Sequence, residues 1–249
     1  RVDGKIAGTG HWVAAGQRIE LLAGTRRPPG DYPLDLQVLL EDDDLAVIVK
    51  PAGLPVSGNR YRTVENALAH NLWPSAAIDA FPWPHPVHRL DGPTSGLLLI
   101  AKTASAETDL RRQFAEQSVQ KRYQAVVMGE VSGEGRIEAP LDGKEAVTEF
   151  RFLQKVPSLR SGALCLLDLF PRTGRTHQLR RHLAMRGHPI LGDKQYGEEG
   201  NILKGKGLFL CAVELAFRHP RTGEEVKVET EAPAKFRKFM AGEERRWRK

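Results

Sequence analysis

The chain has 249 residues, 41% apolar and 27% charged, with 37 basic against 31 acidic side chains and a net charge of +6. That length buries a full core and fits one large or two modest domains, and the mild positive balance points to a polyanionic partner such as a nucleic acid. No run approaches the roughly 18 apolar residues of a membrane-crossing helix, which argues against a membrane protein. Cys165 and Cys211 both sit inside apolar runs, which favours buried free thiols in a reducing cytoplasm over a disulfide. The chain opens on Arg1 with no charged-then-apolar leader, so it is expected to start inside a longer gene product.

In chain order, residues 2–6 and 17–22 read as two short strand-like pieces around a polar middle, too few for a core, and Arg26-Arg27-Pro28-Pro29-Gly30 reads as a linker. The texture changes from Val38. Leu45-Ala46-Val47-Ile48-Val49 suits a central strand stopping at Lys50-Pro51-Ala52-Gly53. Residues 63–71 have helix character with Thr63 as cap. Residues 72–86 hold four prolines and two tryptophans and read as an ordered loop. The apolar run Leu97-Leu98-Leu99-Ile100-Ala101 predicts a buried strand, followed by a helix over 104–117 capped by Thr103 or Ser105. Further strands are expected over 121–129, 146–152, 163–170, 208–217 and 226–229. A helix is expected over about 175–185 with an apolar stripe at Leu179 and Leu183, and a last one over 235–240 before a basic tail. Strands outnumber helices, so the expected class is α+β, a long, mixed and largely antiparallel sheet with flanking helices and loops.

Two stretches carry chemistry. His88-Arg89-Leu90-Asp91-Gly92-Pro93 sets a carboxylate in a tight turn just before the buried strand. An Asp before Gly-Pro is ordinarily a turn-former whose carboxylate bonds nearby amides. The second stretch, from Arg172 to His182, holds four arginines and two histidines in eleven residues. On a helix, Arg180 falls at the border of the apolar stripe, and an arginine half-buried there needs a carboxylate. Asp91 is the candidate partner. Arg175 and Arg181 read equally well as a solvated basic face touching phosphates. No histidine pair has the i, i+4 spacing of a metal-binding helix and there is no cysteine cluster, so no metal is expected.

These residues carry a family resemblance. His88-Arg89-Leu90-Asp91 with Thr94-Ser95-Gly96 resembles the catalytic motif of RluA-type RNA pseudouridine synthases. The resemblance extends through Lys50-Pro51-Ala52-Gly53, Lys121-Arg122-Tyr123, Thr173-Gly174-Arg175-Thr176-His177-Gln178-Leu179-Arg180 and Gly187-His188-Pro189-Ile190-Leu191-Gly192-Asp193, in the family's order over roughly residues 38–240. It implies the pseudouridine synthase fold in residues 31–249. Asp91 would be the nucleophile, Tyr123 the ring that stacks on the target base, and Arg180 the basic partner of the aspartate. Arg89 would enter the space left by the flipped nucleotide. Further RNA contacts are expected from His88, Arg172, Arg175, His177, Gln178 and Lys50, the last in a segment that shapes the site floor. Many relatives carry a complete RNA-binding module at the N-terminus. Residues 1–30 resemble only its closing strands plus a linker. Cys211 stands where relatives often have His, a packing variation.

The chemistry suits these residues. Converting uridine to pseudouridine breaks the bond from ribose C1′ to N1 and remakes it to C5 of the same base. One carboxylate can act at sugar or base, as one does at C1′ in retaining glycosidases, and an adjacent arginine favours its charged form. The target must leave the stack to be reached, and water must be excluded from the detached sugar. The expectation is an RNA uridine isomerase acting on tRNA or rRNA, cytoplasmic, monomeric, without cofactor or membrane partner. Two other readings compete: a non-catalytic RNA-binding or chaperone protein on the same fold, and a ribonuclease using a metal or His88, His177 or His182.

Overall fold

The computed structural model describes residues 2–7, 12–19, 30–197 and 205–248. Its elements are β1 (Gln37–Glu41), β2 (Leu45–Lys50), α1 (Val64–Asn71), β3 (Ala80–Pro86), β4 (Ser95–Thr103), α2 (Ala104–Ala115), β5 (Gln120–Met128), β6 (Glu134–Glu138), β7 (Val147–Ser158), β8 (Gly162–Pro171), α3 (Gln178–Met185), β9 (Leu210–Arg218), β10 (Glu225–Glu229) and α4 (Lys235–Trp247). They build the expected α+β architecture around one sheet, ordered β1-β2-β4-β9-β5-β8-β7-β6, with β3 on β4 and β10 on β9.

All nine residues of β4 are buried, as a near-continuous apolar run requires of a strand covered on both faces. Alternation divides it between two cores: Leu98 and Ile100 pack beneath α1, while Leu97, Leu99 and Ala101 pack with Ala106 and Leu110 of α2. A third core lies under β5, β8 and β9, closed by Leu179 and Leu183 of α3 and by Phe236 and Met240 of α4. The halves of the sheet meet at its parallel pairing, β4 on β9, where Ser95 opposes Cys211 and Gly96 opposes Ala212. Gly96 has φ +111°, and a Cβ there would fall 2.1 Å from the Ala212 carbonyl oxygen. Only glycine lets the two strands close at that point. The catalytic-type residues gather around this seam.

Both predicted caps hold: Thr63 and Thr103 accept from the Asn66 and Ala106 amides at 3.2 Å each. Cys165 and Cys211 are free and buried. The proline-rich stretch expected as a loop instead ends in β3. That strand pairs on β4 only irregularly, at Ala80 and at His85–Pro86, the edge position where alternate prolines are tolerated. The edge strands β1 and β6 also escaped prediction, β6 being the short polar segment EGRIE. The predicted tail from Arg245 is mostly helix, since α4 runs to Trp247 with Arg248 paired to Glu244 at 2.6 Å; Lys249 lies outside the described residues. At the N-terminus the two strand-like pieces meet only in isolated bridges from Val2 to Ile19 and Lys5. Residues 20–29, with nearly all of the predicted linker, lie outside the described residues. Among those described, no helix is long and apolar enough to cross a membrane.

Candidate active site

Asp91 sits in the turn that enters β4, its carbonyl accepting from the Thr94 amide at 3.0 Å. The next residue anchors the turn: the Gly92 carbonyl accepts from the Gly53 amide at 2.8 Å and from the Lys50 ammonium at 3.0 Å. Lys50 also donates to Pro51 O at 2.9 Å and Leu54 O at 2.6 Å. It is fully buried, so the expectation that Lys50 contacts RNA is corrected. The end of β2 needs a donor for three converging carbonyls, and an ammonium has three N–H groups to give. Burial lowers its pKa to about 8 against the opposing pull of Asp91. As pH rises through that value the amine keeps two donors for three acceptors, and the anchor of the Asp91 turn loosens. Turnover of the wild type is therefore expected to fall above about pH 8. A pH–rate profile in which Lys50→Met, slower throughout, keeps the same alkaline limb would refute this.

Arg180, in the first turn of α3, lies between two carboxylates. Its Nη1 donates to Asp91 Oδ2 at 3.1 Å, while Nε and Nη2 form a fork to Asp193 at 2.7 and 2.9 Å. Asp193 further accepts from the amides of Gln195 and Tyr196 at 2.9 and 3.1 Å. Burial opposes charge on both groups. Their mutual hydrogen bonds overcome it, raising the Arg180 pKa, with help from Asp91, and lowering that of Asp193, with help from the two amides. The guanidinium also lies 5.0 Å from the Tyr196 ring centre. Sequence reasoning found the Asp91–Arg180 pair and missed Asp193. The signal was present, since a fork with five donors at a buried position asks for more than one half-exposed carboxylate.

His177 precedes α3 with φ +54° and makes no side-chain cap. Its ring instead places Nε2 3.6 Å from Asp91 Oδ1 and Nδ1 2.9 Å from the Tyr196 hydroxyl. The left-handed backbone here is strained for a residue with a Cβ, and it turns the imidazole towards the carboxylate. Tyr123 comes from β5 and packs against two of the cores. Burial, and then the charge of Asp91, push its phenol above the usual range, so the ring stays neutral. Asp91, Tyr123, His177, Arg180, Arg89 and Arg175 line one open cleft of about 1290 Å³.

Three other residues expected to contact RNA have partners within the protein. His88 accepts from the Leu99 amide through Nε2 at 3.0 Å and stacks on Phe114 at 4.7 Å. Burial, then the charge of Lys121, lower its pKa to about 3. It is a neutral ring bracing the middle of β4, accepting an amide just past the point where β3 pairing ends at Pro86. Gln178 is buried, donating to Val147 O and Thr148 Oγ1 and accepting from Thr173 Oγ1 and the Arg175 amide; it ties the loop before α3 to β7. Arg172 lies outside the cleft and pairs with Glu149 at 2.6 Å. His182 is likewise internal, held between Thr148 Oγ1 and Ala139 O, which removes it and His88 from a histidine-based nuclease. Arg175 does line the cleft and donates through Nε to Glu145 O at 2.8 Å. Arg89 is exposed at the mouth and has no hydrogen bond or acidic partner among the described residues. The one grouping of metal-type ligands among the described residues, Asp42, Asp44 and His219, is already engaged internally, with His219 on Asp42 at 2.8 Å and Arg221 on Asp44 at 2.6 Å.

Residues 44–185 match a family model described as RNA pseudouridylate synthase. The chain belongs to that family. It is 37% identical over 214 residues to the dual-specificity RNA pseudouridine synthase RluA of Haemophilus influenzae, covering 79% of this chain and 92% of that one. It is 37% identical over 238 residues to ribosomal large subunit pseudouridine synthase D of Zymomonas mobilis, covering 83% and 73%. Among solved structures, human RNA pseudouridylate synthase domain containing 1 superposes with a TM-score of 0.67 at 26% identity, over 80% of this chain and 84% of that one. The sheet of this synthase is thus the pseudouridine synthase fold that the motifs implied, and its activity is isomerisation of uridine in RNA.

Proposed function

We propose that this synthase uses Asp91 as a nucleophile on a uridine flipped out of structured tRNA or rRNA. The observation that carries the reading is the Asp91 carboxylate, bonded through one oxygen to a buried guanidinium at 3.1 Å and lining a cleft with a neutral tyrosine ring. Arg180 fixes the direction of the carboxylate through Oδ2, and Oδ1, 3.6 Å from His177 Nε2, is left to meet the nucleotide. An Asp91 carboxylate oxygen bonds to C1′ as the C1′–N1 bond breaks, and uracil departs with the electron pair as a delocalised anion. The base turns within the cleft, C5 bonds to C1′, the carboxylate is released, and the C5 proton is exchanged for one on N1. Tyr123 offers the turning base an apolar face, and the wholly buried β4 behind the turn keeps water from the sugar. Arg89, unpaired at the mouth, is suited to fill the gap the uridine leaves. The protein acts as a monomer in the cytoplasm.

The test is to incubate the purified protein with RNA from cells lacking the gene and to map pseudouridines by sequencing. New pseudouridine at defined sites in intact tRNA or rRNA, unaffected by chelator, is the expected result. RNA that emerges cut, or bound but unmodified, overturns the reading in favour of a nuclease or a passive RNA-binding protein.

A further inference from the structure

Lys121 and Tyr123 stand on one face of β5. Arg122 between them turns to the other face, where it donates to Glu214 at 2.9 Å and lies 3.5 Å from Asp168. Lys121 is half-buried and lines the same cleft as Asp91. Yet among the described residues its ammonium has no hydrogen bond and no carboxylate within 4 Å. The centre of the Phe114 ring is 5.9 Å from the ammonium, and His88 stacked on that ring is neutral. Of the acids that line the cleft, Asp91 is held by Arg180 and Glu107 by Arg111 at 2.7 Å, while Glu65 stands on α1. Burial displaces the Lys121 pKa downward with no neighbouring charge to offset it.

A desolvated cation without a counter-charge is unfavourable. The other inward-facing cations near the site, Lys50 and Arg180, are held by the protein's own carbonyls and carboxylates, so Lys121 stands apart. We propose that Lys121 binds a backbone phosphate adjoining the flipped uridine, its counter-charge arriving only with the RNA. The inference rests on the reading that uridine enters this cleft with its base on Tyr123. Side chains at i and i+2 of a strand are roughly 7 Å apart on one face, a spacing that sets a base on the tyrosine and its sugar-phosphate on the lysine. The contact would hold the nucleotide by its backbone while the base is free to turn.

Binding of the full chain to a short oligouridylate, measured between about 50 and 200 mM salt, tests this. Lys121→Met keeps the apolar stem and removes the charge. It is expected to weaken binding roughly 5–10-fold at the low-salt end and to lower the slope of log K against log salt by about 0.7–0.9, one phosphate contact on a single strand. Lys121→Arg is expected to retain the wild-type slope. The melting temperature of Lys121→Met should equal or exceed that of the wild type, because an unpaired buried charge has been removed. An unchanged slope overturns the proposal, whether or not affinity falls. Pseudouridine formation by the wild type is scored in parallel: its absence overturns the functional reading itself, whereas an unchanged slope beside an active wild type overturns the Lys121 subsite alone.

Discussion

Asparagine in place of Asp91 is expected to lower pseudouridine formation by about 10⁴–10⁶-fold, the scale of losing a nucleophile from a working site, while leaving the fold intact. The two halves of that expectation have separate causes. Activity disappears because an amide oxygen does not form and release a bond to the nucleotide as a carboxylate does. Stability survives because Asp91, 26% exposed, is the more solvated of the two carboxylates on Arg180 and only its contact is altered. Arg180 keeps both bonds to Asp193, and the substituted amide still offers an oxygen to Nη1. Single-turnover measurement by pseudouridine sequencing, beside a thermal melt, checks both. A variant retaining more than about a hundredth of wild-type activity would take the nucleophile away from Asp91.

Arg180→Met should fail in the opposite manner, through the fold as well as the chemistry. Removing the guanidinium leaves Asp193 fully buried with only two backbone amides, and leaves Asp91 without its cation. Breaking one side of a buried pair costs about 3–5 kcal/mol, which for a chain of this size lowers the melting temperature by roughly 6–20 °C. Adding Asp193→Leu removes the stranded charge and is expected to recover most of that loss, since buried pairs exchange for apolar residues at little net cost. Activity should stay low in the double variant, because Asp91 still lacks the guanidinium that orients it. If stability and activity return together, Arg180 is a packing residue and its contact with Asp91 is incidental. Arg180→Lys should fall short as well, because a single ammonium cannot serve the fork to Asp193 and the bond to Asp91 in one plane.

The residues that the chain must expose to its substrate and those it must bury are mixed within the same motifs, which limits what a linear reading can separate. His88 and Arg89 are neighbours, yet one ring is pinned beneath the Leu99 amide while the other side chain is exposed. His177 and Gln178 are adjacent too. The first faces Asp91, and the second is consumed by the loop before α3. Lys50 and Lys121 show the sharpest inversion: the motifs send Lys50 to RNA and it is internal, while Lys121, quoted only as part of a motif, has no hydrogen bond and no acidic partner among the described residues.

Legible in the amino-acid order were the fold class, the buried strand β4, the helix caps, and the pairing of Asp91 with Arg180. Each follows from local chemistry or from an apolar pattern: a continuous run that only burial satisfies, a threonine at a helix start, an arginine at the edge of an apolar stripe. The edge strands were lost because their residues carry little burial signal. It took the folded chain to establish that Asp193 holds the guanidinium, that Lys50 anchors the Asp91 turn through Gly92, and that Lys121 has no counter-charge among the described residues. Those outcomes depend on which polar groups meet across the β4–β9 seam once both halves of the sheet have closed. A hydrogen bond between residues 13 or 42 positions apart leaves no periodicity to read.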